Sequence, residues 1–341
     1  MRPGTIAGTR SVVGLDVGGA NVKAAHVGGS AATLPFPLWK DPAGLTSRLR
    51  ALLDKLPTSD LLAVTMTGEL CDCFQSKREG VACILDAVEG AAQGRPVWVW
   101  QTTGHFVDPT TARVEVTPTA SSNWHALASW AGRLAPRGTA LLVDMGSTTT
   151  DVIPLTDGQP SSRGRTDWQR LKHRELVYVG ARRTPLCALM AGRGAAEVFA
   201  TTRDVGLLLG LEPEDGADRD TADGRPATRP AAHARLARML CADVESMSRQ
   251  QAKALARHLF RRVARRVAGA LDQVAQNLSP LPETLIVAGS GERWVMEALR
   301  WTAAFRPART IRLAELLGRD ISAAACAFAL AVLACEGLDP S

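Results

Sequence analysis

The stretch GLDVGGAN at residues 14–21 returns in altered form as LVDMGSTT at residues 142–149, at an offset of 128 positions (142 minus 14). Both copies run from apolar residues into an Asp-x-Gly triplet and then into small or hydroxyl-bearing residues. Asp16 aligns with Asp144, and the glycines two positions later align as well. Similarity at this spacing indicates duplication of one structural unit, so the sequence predicts two related α/β halves.

Each Asp-x-Gly turn carries groups that suit a metal-bound phosphate. An Asp at the end of a strand can bind a divalent cation directly or through water. The glycine after it permits a tight turn, and the next amides and hydroxyls can donate to phosphate oxygens. Two such turns facing one another would clamp a polyphosphate, with Asp16 and Asp144 organising the metal between them. The residues predicted to contact the phosphates are Gly18, Gly19, Asn21, Lys23, Gly146, Ser147, Thr148 and Thr149.

Two charged residues beside these turns each have two interpretations. Lys23 lies on the outgoing strand of the first copy, where it either reaches a phosphate or is a partly solvated strand lysine. Asp151 occupies the corresponding place in the second copy. It either contacts metal-bound water or a substrate amine, or it forms a structural hydrogen bond.

A third glycine-rich turn follows an apolar run nearer the C-terminus. Residues 285–292, LIVAGSGE, are typical of a strand that enters a turn and then a helix. Such a turn admits a ligand close to the backbone, and a helix N-terminus favours anions. Gly289, Ser290 and Gly291 are therefore predicted to form a nucleotide-like pocket, although Gly-x-Gly after a strand is common by itself.

Hydrophobic periodicity around these motifs predicts alternating strands and helices. The predicted strands cover residues 11–17, 22–27, 61–66, 97–100, 139–144 and 284–288. The predicted helices cover residues 45–56, 80–92, 123–134 with Ser122 as the N-cap, two helices within 231–277, and 320–335. The polar stretch 201–230, which contains seven acidic residues, predicts an inserted loop or lid.

Length and composition exclude several classes of protein. The chain has 341 residues, enough for about two domains, and its 46% hydrophobic and 22% charged residues are globular values. Seven cysteines fit no disulfide framework and favour a reducing cytoplasm. No apolar run approaches the roughly 20 residues of a membrane span, and the start MRPGT lacks the apolar core of a secretory signal.

The net charge of +6 also limits the choice of partners. Most basic residues are arginines, since only six lysines are present. No basic run is interleaved with aromatic residues, and Tyr178 is the one tyrosine, so nucleic-acid binding is not predicted. The excess of arginine is typical of a GC-rich genome, and it is also compatible with a small anionic ligand, since arginine suits phosphates and carboxylates.

The three motifs in this order resemble those of the actin, sugar-kinase and Hsp70 superfamily. Residues 16–23 resemble its first phosphate motif, residues 144–151 its second, and residues 287–292 its adenosine motif. The resemblance implies an α/β fold of two ribonuclease-H-like domains with a central cleft. With the break APRG before residue 139, the implied units are residues 1–137, residues 138–319 with a helical insertion, and residues 320–341 as a C-terminal helix that returns to the first domain.

Further stretches resemble one branch of the hydantoinase/oxoprolinase group, whose proteins are described as tetrahydromethanopterin-linked one-carbon transfer proteins. They are GLDVGGAN at 14–21, MTGEL at 66–70, DMGSTTTD at 144–151, ELVY at 175–178, RRTP at 182–185 and TADGRP at 221–226. That branch includes ether-forming synthases of methanofuran biosynthesis. The resemblance therefore implies a cytoplasmic transferase in methanofuran or methylofuran biosynthesis, with Mg²⁺ as its cofactor. Its implied reaction joins aminomethylfuran diphosphate to a tyramine- or tyrosine-type phenol and releases diphosphate.

This reaction implies further site residues on the side of the phenolic acceptor. The phenol loses a proton as it attacks, so a carboxylate is expected nearby. Glu69 and Asp72 follow the predicted strand 61–66 and are the catalytic candidates, although they also fit an exposed polar helix start. Arg182 and Arg183 are candidates for binding a carboxylate of the acceptor, or they form a solvated pair. Asp223, in an acidic loop that is otherwise a solvated lid, is the remaining acceptor-site candidate.

Two other function classes compete with the transferase. One is an ATP-dependent kinase or a hydantoinase-like amidohydrolase, as other superfamily members are. The other is a non-catalytic regulator that binds a nucleotide. Tight ATP binding with slow hydrolysis would favour these classes, whereas diphosphate release from the activated furan would favour the transferase.

Overall fold

The computed structural model describes residues 10–338, which form two six-stranded sheets with helices between and outside them. The first sheet contains β1 (Val12–Val17), β2 (Asn21–His26), β3 (Ala31–Pro35), β4 (Leu61–Met66), β5 (Val97–Trp100) and β6 (Phe106–Val107). The second contains β7 (Thr139–Met145), β8 (Thr150–Thr156), β9 (Gln159–Pro160), β10 (Leu176–Val177), β11 (Thr284–Ala288) and β12 (Arg309–Arg312). The first nine and last three residues, which belong to the predicted units 1–137 and 320–341, lie outside the described residues.

Thirteen α-helices are present among the described residues. They are α1 (Leu45–Leu53), α2 (Lys77–Ala92), α3 (Pro109–Val114), α4 (Val116–Thr119), α5 (Asn123–Ala131), α6 (Asp167–Lys172), α7 (Thr202–Leu209), α8 (Arg229–Arg238), α9 (Arg249–Gln276), α10 (Glu292–Ala298), α11 (Leu313–Leu317), α12 (Arg319–Ala323) and α13 (Ala325–Gly337). Within residues 10–338, none of them combines the length and the apolar composition needed to cross a membrane.

The two sheets repeat one topology. The first sheet has the order β3-β2-β1-β4-β5-β6, and β2 is antiparallel to both β1 and β3 while β4 runs parallel to β1 and β5. The second has the order β10-β8-β7-β11-β12 with the same sequence of antiparallel and parallel pairs, and β9 adds to β8. This repetition confirms the expected duplication and the α/β fold of two ribonuclease-H-like halves.

The duplication extends to the residues beside the turns. Asp16 lies opposite Lys23 in the pair of β1 and β2. Asp144 lies opposite Asp151 in the pair of β7 and β8. At corresponding positions, the hairpin of the first half therefore pairs its Asp with the cation Lys23, and the hairpin of the second half pairs its Asp with a carboxylate, Asp151.

Helices α5 and α13 lie between the two sheets. In α5, Trp124 and Leu127 pack with Leu142 and Ile153 of the second sheet. In α13, residues such as Leu330 pack with the first sheet. A Cβ on Gly14 of β1 would lie 1.9 Å from the carbonyl oxygen of Ala327 in α13, so only glycine permits this close packing. The two helices thereby fix the position of one sheet relative to the other.

The outer face of each sheet is covered by amphipathic helices. Helices α1 and α2 cover the first sheet with leucine, isoleucine and valine side chains, and α9 covers the second together with α7 and α10. The apolar residues recur at helical spacing, which is why these segments bury one face and leave the other in solvent. This packing holds the carboxyl ends of β1, β4 and β7 in one region.

The predicted strands 61–66, 97–100 and 284–288 coincide with β4, β5 and β11. Ser122 occupies the N-cap position of α5, as predicted, but its side chain makes no capping hydrogen bond. The Ser122 hydroxyl is buried, hydrogen-bonds with the Thr65 hydroxyl at 2.8 Å and donates to the Trp100 carbonyl at 2.8 Å. Its partners come from the neighbouring sheet, so tertiary contacts replace the local cap.

Two other segments differ from their predictions. The single helix predicted over 320–335 is broken at Ala324, because the Ser322 carbonyl accepts the Gly289 amide at 3.1 Å instead of continuing the helix. The stretch 201–230 is not simply a loop, since α7 begins there with a capping box formed by Thr201 and Asp204. Arg235 of α8 donates to the same Asp204 at 2.7 Å, so buried charge pairs anchor this segment.

Candidate active site

A cleft of about 980 Å³ opens between the two sheets, and both Asp-x-Gly turns line it. The side-chain amide of Asn21 in the first turn donates to the Ser147 hydroxyl in the second at 3.4 Å. This contact confirms that the turns face each other across a central cleft. The cleft is lined by every residue predicted to contact the phosphates, which are Gly18, Gly19, Asn21, Lys23, Gly146, Ser147, Thr148 and Thr149. Their role in binding a phosphate stays a prediction.

In the first turn, most of the carbonyl oxygens already have partners. The Gly18 amide donates to the Asn21 carbonyl at 3.0 Å and closes the turn. The Val17 carbonyl accepts the amides of Thr67 and Gly68, and the Gly19 carbonyl accepts an amide from the segment after β3. With these acceptors occupied, the turn presents mainly hydrogen-bond donors to an anion in the cleft.

The second turn has the same geometry and a different support. The Gly146 amide donates to the Thr149 carbonyl at 3.0 Å, as at the corresponding positions of the first turn. The Gly146 carbonyl accepts the Ala181 amide at 3.0 Å, and the Ser147 carbonyl accepts the next two amides. A Cβ on Gly180 would lie 2.4 Å from the Thr148 nitrogen, so glycine lets this supporting segment lie directly against the turn.

Asp16 and Asp144 are strongly affected by burial at the base of the cleft. Burial raises the pKa of Asp16; the Lys23 ammonium opposes this rise and the Asp151 carboxylate adds to it. Burial raises the pKa of Asp144 to about 6, again with Lys23 opposing and the other two carboxylates contributing. The Cys326 thiol donates to Asp144 at 3.6 Å. Lys23 therefore offsets part of the negative charge of these carboxylates.

Asp16 and Asp144 are suitable ligands for a magnesium ion that is also bound by the phosphates of a substrate. Asp16 Oδ1 is buried and has no hydrogen-bond partner among the described residues, which leaves it available as a ligand. Among residues 10–338, no three His, Cys, Asp or Glu side chains converge as a preformed metal site. Mg²⁺ usually keeps several waters and takes one or two carboxylates together with phosphate oxygens, and Asp16 and Asp144 match that requirement.

Glu69 provides a second buried carboxylate on another wall of the cleft. Its side chain is 1% exposed, and Oε1 accepts the Ser121 hydroxyl at 2.8 Å and lies 3.5 Å from the Lys77 ammonium. Oε2 is buried without a hydrogen-bond partner among the described residues. Burial raises the pKa of Glu69, with Lys77 and Ser121 opposing the rise. Asp72 also lines the cleft but is exposed. Of the two carboxylates, Glu69 is therefore the buried one, and its surroundings shift its pKa, as is common for catalytic bases.

The negative charge of Asp151, beside Asp144, is balanced by Arg170, which was not predicted from the sequence. Arg170 is 1% exposed and donates to Asp151 Oδ1 at 2.8 Å. Its guanidinium lies over the Trp124 ring at 4.2 Å from the ring centroid. The structure therefore gives Asp151 a structural hydrogen bond. No signal in the sequence links Arg170 to Asp151, since their pairing depends on the packing of α6.

The residues predicted to bind the acceptor are not all at the cleft. Arg183 lines it, with its guanidinium 4.7 Å from the centroid of the Trp39 ring. Arg182 does not, and its side chain donates to Glu212 at 3.0 Å. Asp223 also lies outside the cleft lining and accepts Arg235 at 2.9 Å. A role in acceptor binding stays a prediction for all three.

Apolar side chains at the rim of the cleft were not identified from the sequence as acceptor residues. Leu70 is 63% exposed, Trp168 65% and Tyr178 67%, and all three line the cleft. Exposed apolar groups around a concave site are typical of ligand binding. Their proximity depends on tertiary structure, because they come from three separate loops and helices.

The glycine-rich turn after β11 supports the second hairpin. Gly289 has φ +87°, and a Cβ there would lie 2.3 Å from Asp144 Oδ1. The Gly291 amide donates to the Met145 carbonyl at 2.8 Å. Gly289, Ser290 and Gly291 do not belong to the cleft lining in the described part of the chain. Their role as a nucleotide-like pocket stays a prediction.

Comparisons with known proteins agree with this architecture. A model of the family described as Hydantoinase/oxoprolinase matches residues 60–305. A protein from Methanocaldococcus jannaschii is 33% identical over 339 residues, which cover 96% of this chain and 98% of that protein. It is named (4-{4-[2-(gamma-L-glutamylamino)ethyl]phenoxymethyl}furan-2-yl)methanamine synthase. A protein of the same name from Methanococcus vannielii is 32% identical over 206 residues, covering 57% of this chain and 89% of that protein.

Two solved structures share the fold. Nucleotide-free acetone carboxylase has a TM-score of 0.57 at 11% identity, covering 95% of this chain and 70% of that chain. The PilM-PilN type IV pilus biogenesis complex has a TM-score of 0.50 at 13% identity, covering 95% of this chain and 98% of that chain. The fold is that of the actin, sugar-kinase and Hsp70 superfamily. At these identities the similarity extends to the fold alone.

Proposed function

Because the chain belongs to the hydantoinase/oxoprolinase family, we propose that it is an ether-forming synthase of methanofuran or methylofuran biosynthesis. Its substrates would be aminomethylfuran diphosphate and a tyramine- or tyrosine-type phenol, and its second product would be diphosphate. The name of the archaeal relatives describes a phenoxymethyl group on a furan, which is a phenol oxygen bonded to a furan methylene carbon. The observation that carries the proposal is the presence in one cleft of two donor-rich turns and a separate buried carboxylate, Glu69.

The reaction makes two demands on the protein. The bond between the furan methylene carbon and the diphosphate oxygen breaks, and diphosphate leaves with the electron pair. The phenol oxygen bonds to the same carbon, and its proton passes to a base. The site must therefore stabilise negative charge on the leaving group and accept one proton near the acceptor.

The two turns would meet the first demand. Their amides and hydroxyls would donate to the diphosphate oxygens, and Lys23 would add a positive charge. Asp16 and Asp144 would hold Mg²⁺, which supplies charge neutralisation to a leaving diphosphate when it is bound. Since the turns face one another across the cleft, they would hold the diphosphate from both sides and orient the furan carbon.

Glu69 would meet the second demand as the general base. Glu69 lines the cleft, its buried Oε2 has no hydrogen-bond partner among the described residues, and the raised pKa of its carboxyl makes the carboxylate a stronger base than an exposed glutamate. The Lys77 ammonium at 3.5 Å favours the ionised form of this buried carboxyl and so opposes the rise in its pKa. Asp72, which is exposed, is the alternative base among the sequence-predicted residues.

The rim of the cleft would hold the acceptor. Trp168, Tyr178 and Leu70 offer apolar surface for an aromatic ring. Arg183, held over the Trp39 ring, offers a cation for a carboxylate on the acceptor. A tyrosine-type acceptor carries a carboxylate that tyramine lacks, so Arg183 would favour the former.

A direct assay separates this function from its competitors. We expect the purified protein to release diphosphate and form the aryl ether from aminomethylfuran diphosphate with tyrosine or tyramine and Mg²⁺, without ATP. Glu69→Gln should abolish product formation, and Asp86→Asn, at an exposed surface position, should not. Product formation that strictly requires ATP hydrolysis would contradict the proposal and favour the kinase or hydantoinase-like alternative. ATP binding without turnover of either substrate would favour the nucleotide-binding regulator.

A further inference from the structure

Ser121 lies between two carboxylates that come from different halves of the molecule. Its Oγ is 2.8 Å from Glu69 Oε1, in the loop after β4, and 2.7 Å from Asp167 Oδ2, at the start of α6. A serine hydroxyl has one proton to donate, and an ionised carboxylate only accepts. If both carboxylates were ionised, one of these short contacts would join two oxygens without a proton between them. The geometry therefore requires a second proton on one of the two carboxyls.

We propose that Glu69, Ser121 and Asp167 form a proton relay that connects the buried base of the cleft to solvent. The inference rests on the proposed function, in which Glu69 accepts the phenol proton. Ser121 and Asp167 act through Glu69 and are positioning residues, since neither needs to touch the reacting atoms. They set the protonation state of Glu69 and provide the exit for its proton.

The relay has two forms that differ by the shift of two protons. In the resting form, Glu69 is protonated and donates to Ser121, which donates to the Asp167 carboxylate. In the active form, Asp167 is protonated and donates to Ser121, which donates to the Glu69 carboxylate. The free Oε2 of Glu69 then takes the phenol proton, and Asp167 releases its own proton to water. One proton enters from the phenol and one leaves to solvent. The resting form returns when the Ser121 hydroxyl turns its proton toward the Asp167 carboxylate and the Glu69 carboxyl rotates its protonated oxygen toward Ser121.

Differences in burial give the relay its direction. The side chain of Glu69 is 1% exposed, whereas that of Asp167 is 35% exposed. A proton on Glu69 has no direct contact with bulk water, while a proton on Asp167 does. Ser121 itself is buried and bridges the two environments.

The backbone conformation of Ser121 indicates that its hydroxyl contributes to function. Ser121 has φ +51°, a left-handed conformation that disfavours residues other than glycine. Glycine would adopt this conformation without strain. Such strain is found where the surrounding structure holds a residue in place for function, and the two short contacts made by Oγ are the interactions that glycine would lose.

Other charged groups also face the relay, among them Asp151, whose carboxylate interacts with that of Asp167. Lys77 of α2 is 3.5 Å from Glu69 Oε1, and Arg170 of α6 is 4.0 Å from Asp167 Oδ1. The Cys71 thiol is neutral near pH 7, because burial raises its pKa to about 11. Lys77 favours the ionised form of Glu69, and the Asp167 carboxylate disfavours it.

Two substitutions should shift the pH profile in opposite directions. Ser121→Gly removes the hydrogen bond that stabilises the Glu69 carboxylate, so the acidic pKa of kcat/KM should rise by about one unit. Asp167→Asn removes a negative charge and supplies an amide that can donate to Ser121, so the same pKa should fall by about one unit. A purely structural role would lower activity at every pH without this opposite displacement.

Matched controls separate the relay from backbone and charge effects. Gln93→Gly replaces another non-glycine residue with positive φ, 55°, at an exposed position outside the cleft lining. Asp86→Asn removes an exposed carboxylate elsewhere. Both controls should keep the wild-type pH profile. In Ser121→Gly the relief of backbone strain offsets part of the loss of two hydrogen bonds, so the melting temperature should stay close to that of the wild type.

An infrared titration tests the relay without substrate. The carboxyl stretching band that disappears in Glu69→Gln should titrate at higher pH in Ser121→Gly and at lower pH in Asp167→Asn. Unchanged titration of this band in both variants would overturn the relay, even if the ether is formed. Opposite shifts without ether formation from any furan diphosphate would instead support the relay and reject the proposed reaction.

Discussion

Asp144→Asn should make the free protein more stable while removing its activity. Asn keeps the size of the strand-end Asp but carries no charge, so it cannot contribute the negative charge that organises Mg²⁺. The wild-type carboxylate is destabilising in the folded chain, because burial raises the pKa of Asp144 from 3.8 to about 6. The substitution therefore separates the functional value of this charge from its effect on folding.

The size of the effect follows from the pKa difference. A shift of 2.2 units (6 minus 3.8) corresponds to about 3 kcal/mol, because one unit equals about 1.4 kcal/mol. Asp144 is not fully shielded from the cleft, so solvent screening should reduce the gain to about 1–2 kcal/mol. For a chain of 341 residues, that gain corresponds to a rise in melting temperature of about 1–3 °C.

The pH dependence has a definite sign. A carboxyl with a raised folded pKa contributes stability below its unfolded value, and this contribution is lost as pH rises through about 6. The advantage of Asp144→Asn should therefore be fully present above the folded pKa and should shrink as the pH falls toward 3.8.

Thermal unfolding of both proteins across this pH range, with Asp86→Asn as an exposed control, measures the effect. Diphosphate release measures the accompanying loss of activity. A variant less stable than the wild type at neutral pH would refute the reasoning about the buried charge. Normal diphosphate release would remove Asp144 from the mechanism.

The supports of the turns and the diphosphate subsite can be tested in a similar way. Gly180→Ala should raise the KM for the furan diphosphate by about tenfold or more, because the added Cβ would displace the backbone of Ser147. The control Gly216→Ala should leave this KM unchanged, because no atom lies within 4 Å of its added Cβ. Arg170→Met should lower the free energy of unfolding by about 3–5 kcal/mol, because Asp151 would stay buried without its partner. A urea midpoint unchanged from that of the wild type would show that the ion pair of Arg170 and Asp151 is dispensable. Inorganic diphosphate should inhibit competitively against the furan diphosphate in steady-state kinetics, and purely noncompetitive inhibition would place the diphosphate elsewhere.

Much of the fold was accessible from the sequence because its signals are local. The strands β4, β5 and β11 are short apolar runs bounded by turn residues, and their limits coincide with the predicted ones. The repeated Asp-x-Gly hairpin predicted the duplication, since each copy carries its own turn chemistry. Local patterns failed where a distant partner took over a backbone or hydroxyl group, as for the Ser122 hydroxyl and at the helix break at Ala324.

In the candidate site too, local features were predicted from the sequence, and contacts between distant residues were not. The sequence by itself determined the two turns, because each is a property of contiguous residues. It also predicted phosphate contacts at the turns and, through one family resemblance, Glu69 and Asp72 as catalytic candidates, and these roles stay predictions. Only the tertiary structure decided that Arg170 pairs with Asp151 and that Ser121 joins Glu69 to Asp167. It also decided that Asp223 pairs with Arg235 outside the cleft lining. These contacts join residues far apart in the chain, and their distances depend on how the two sheets and the helices between them pack.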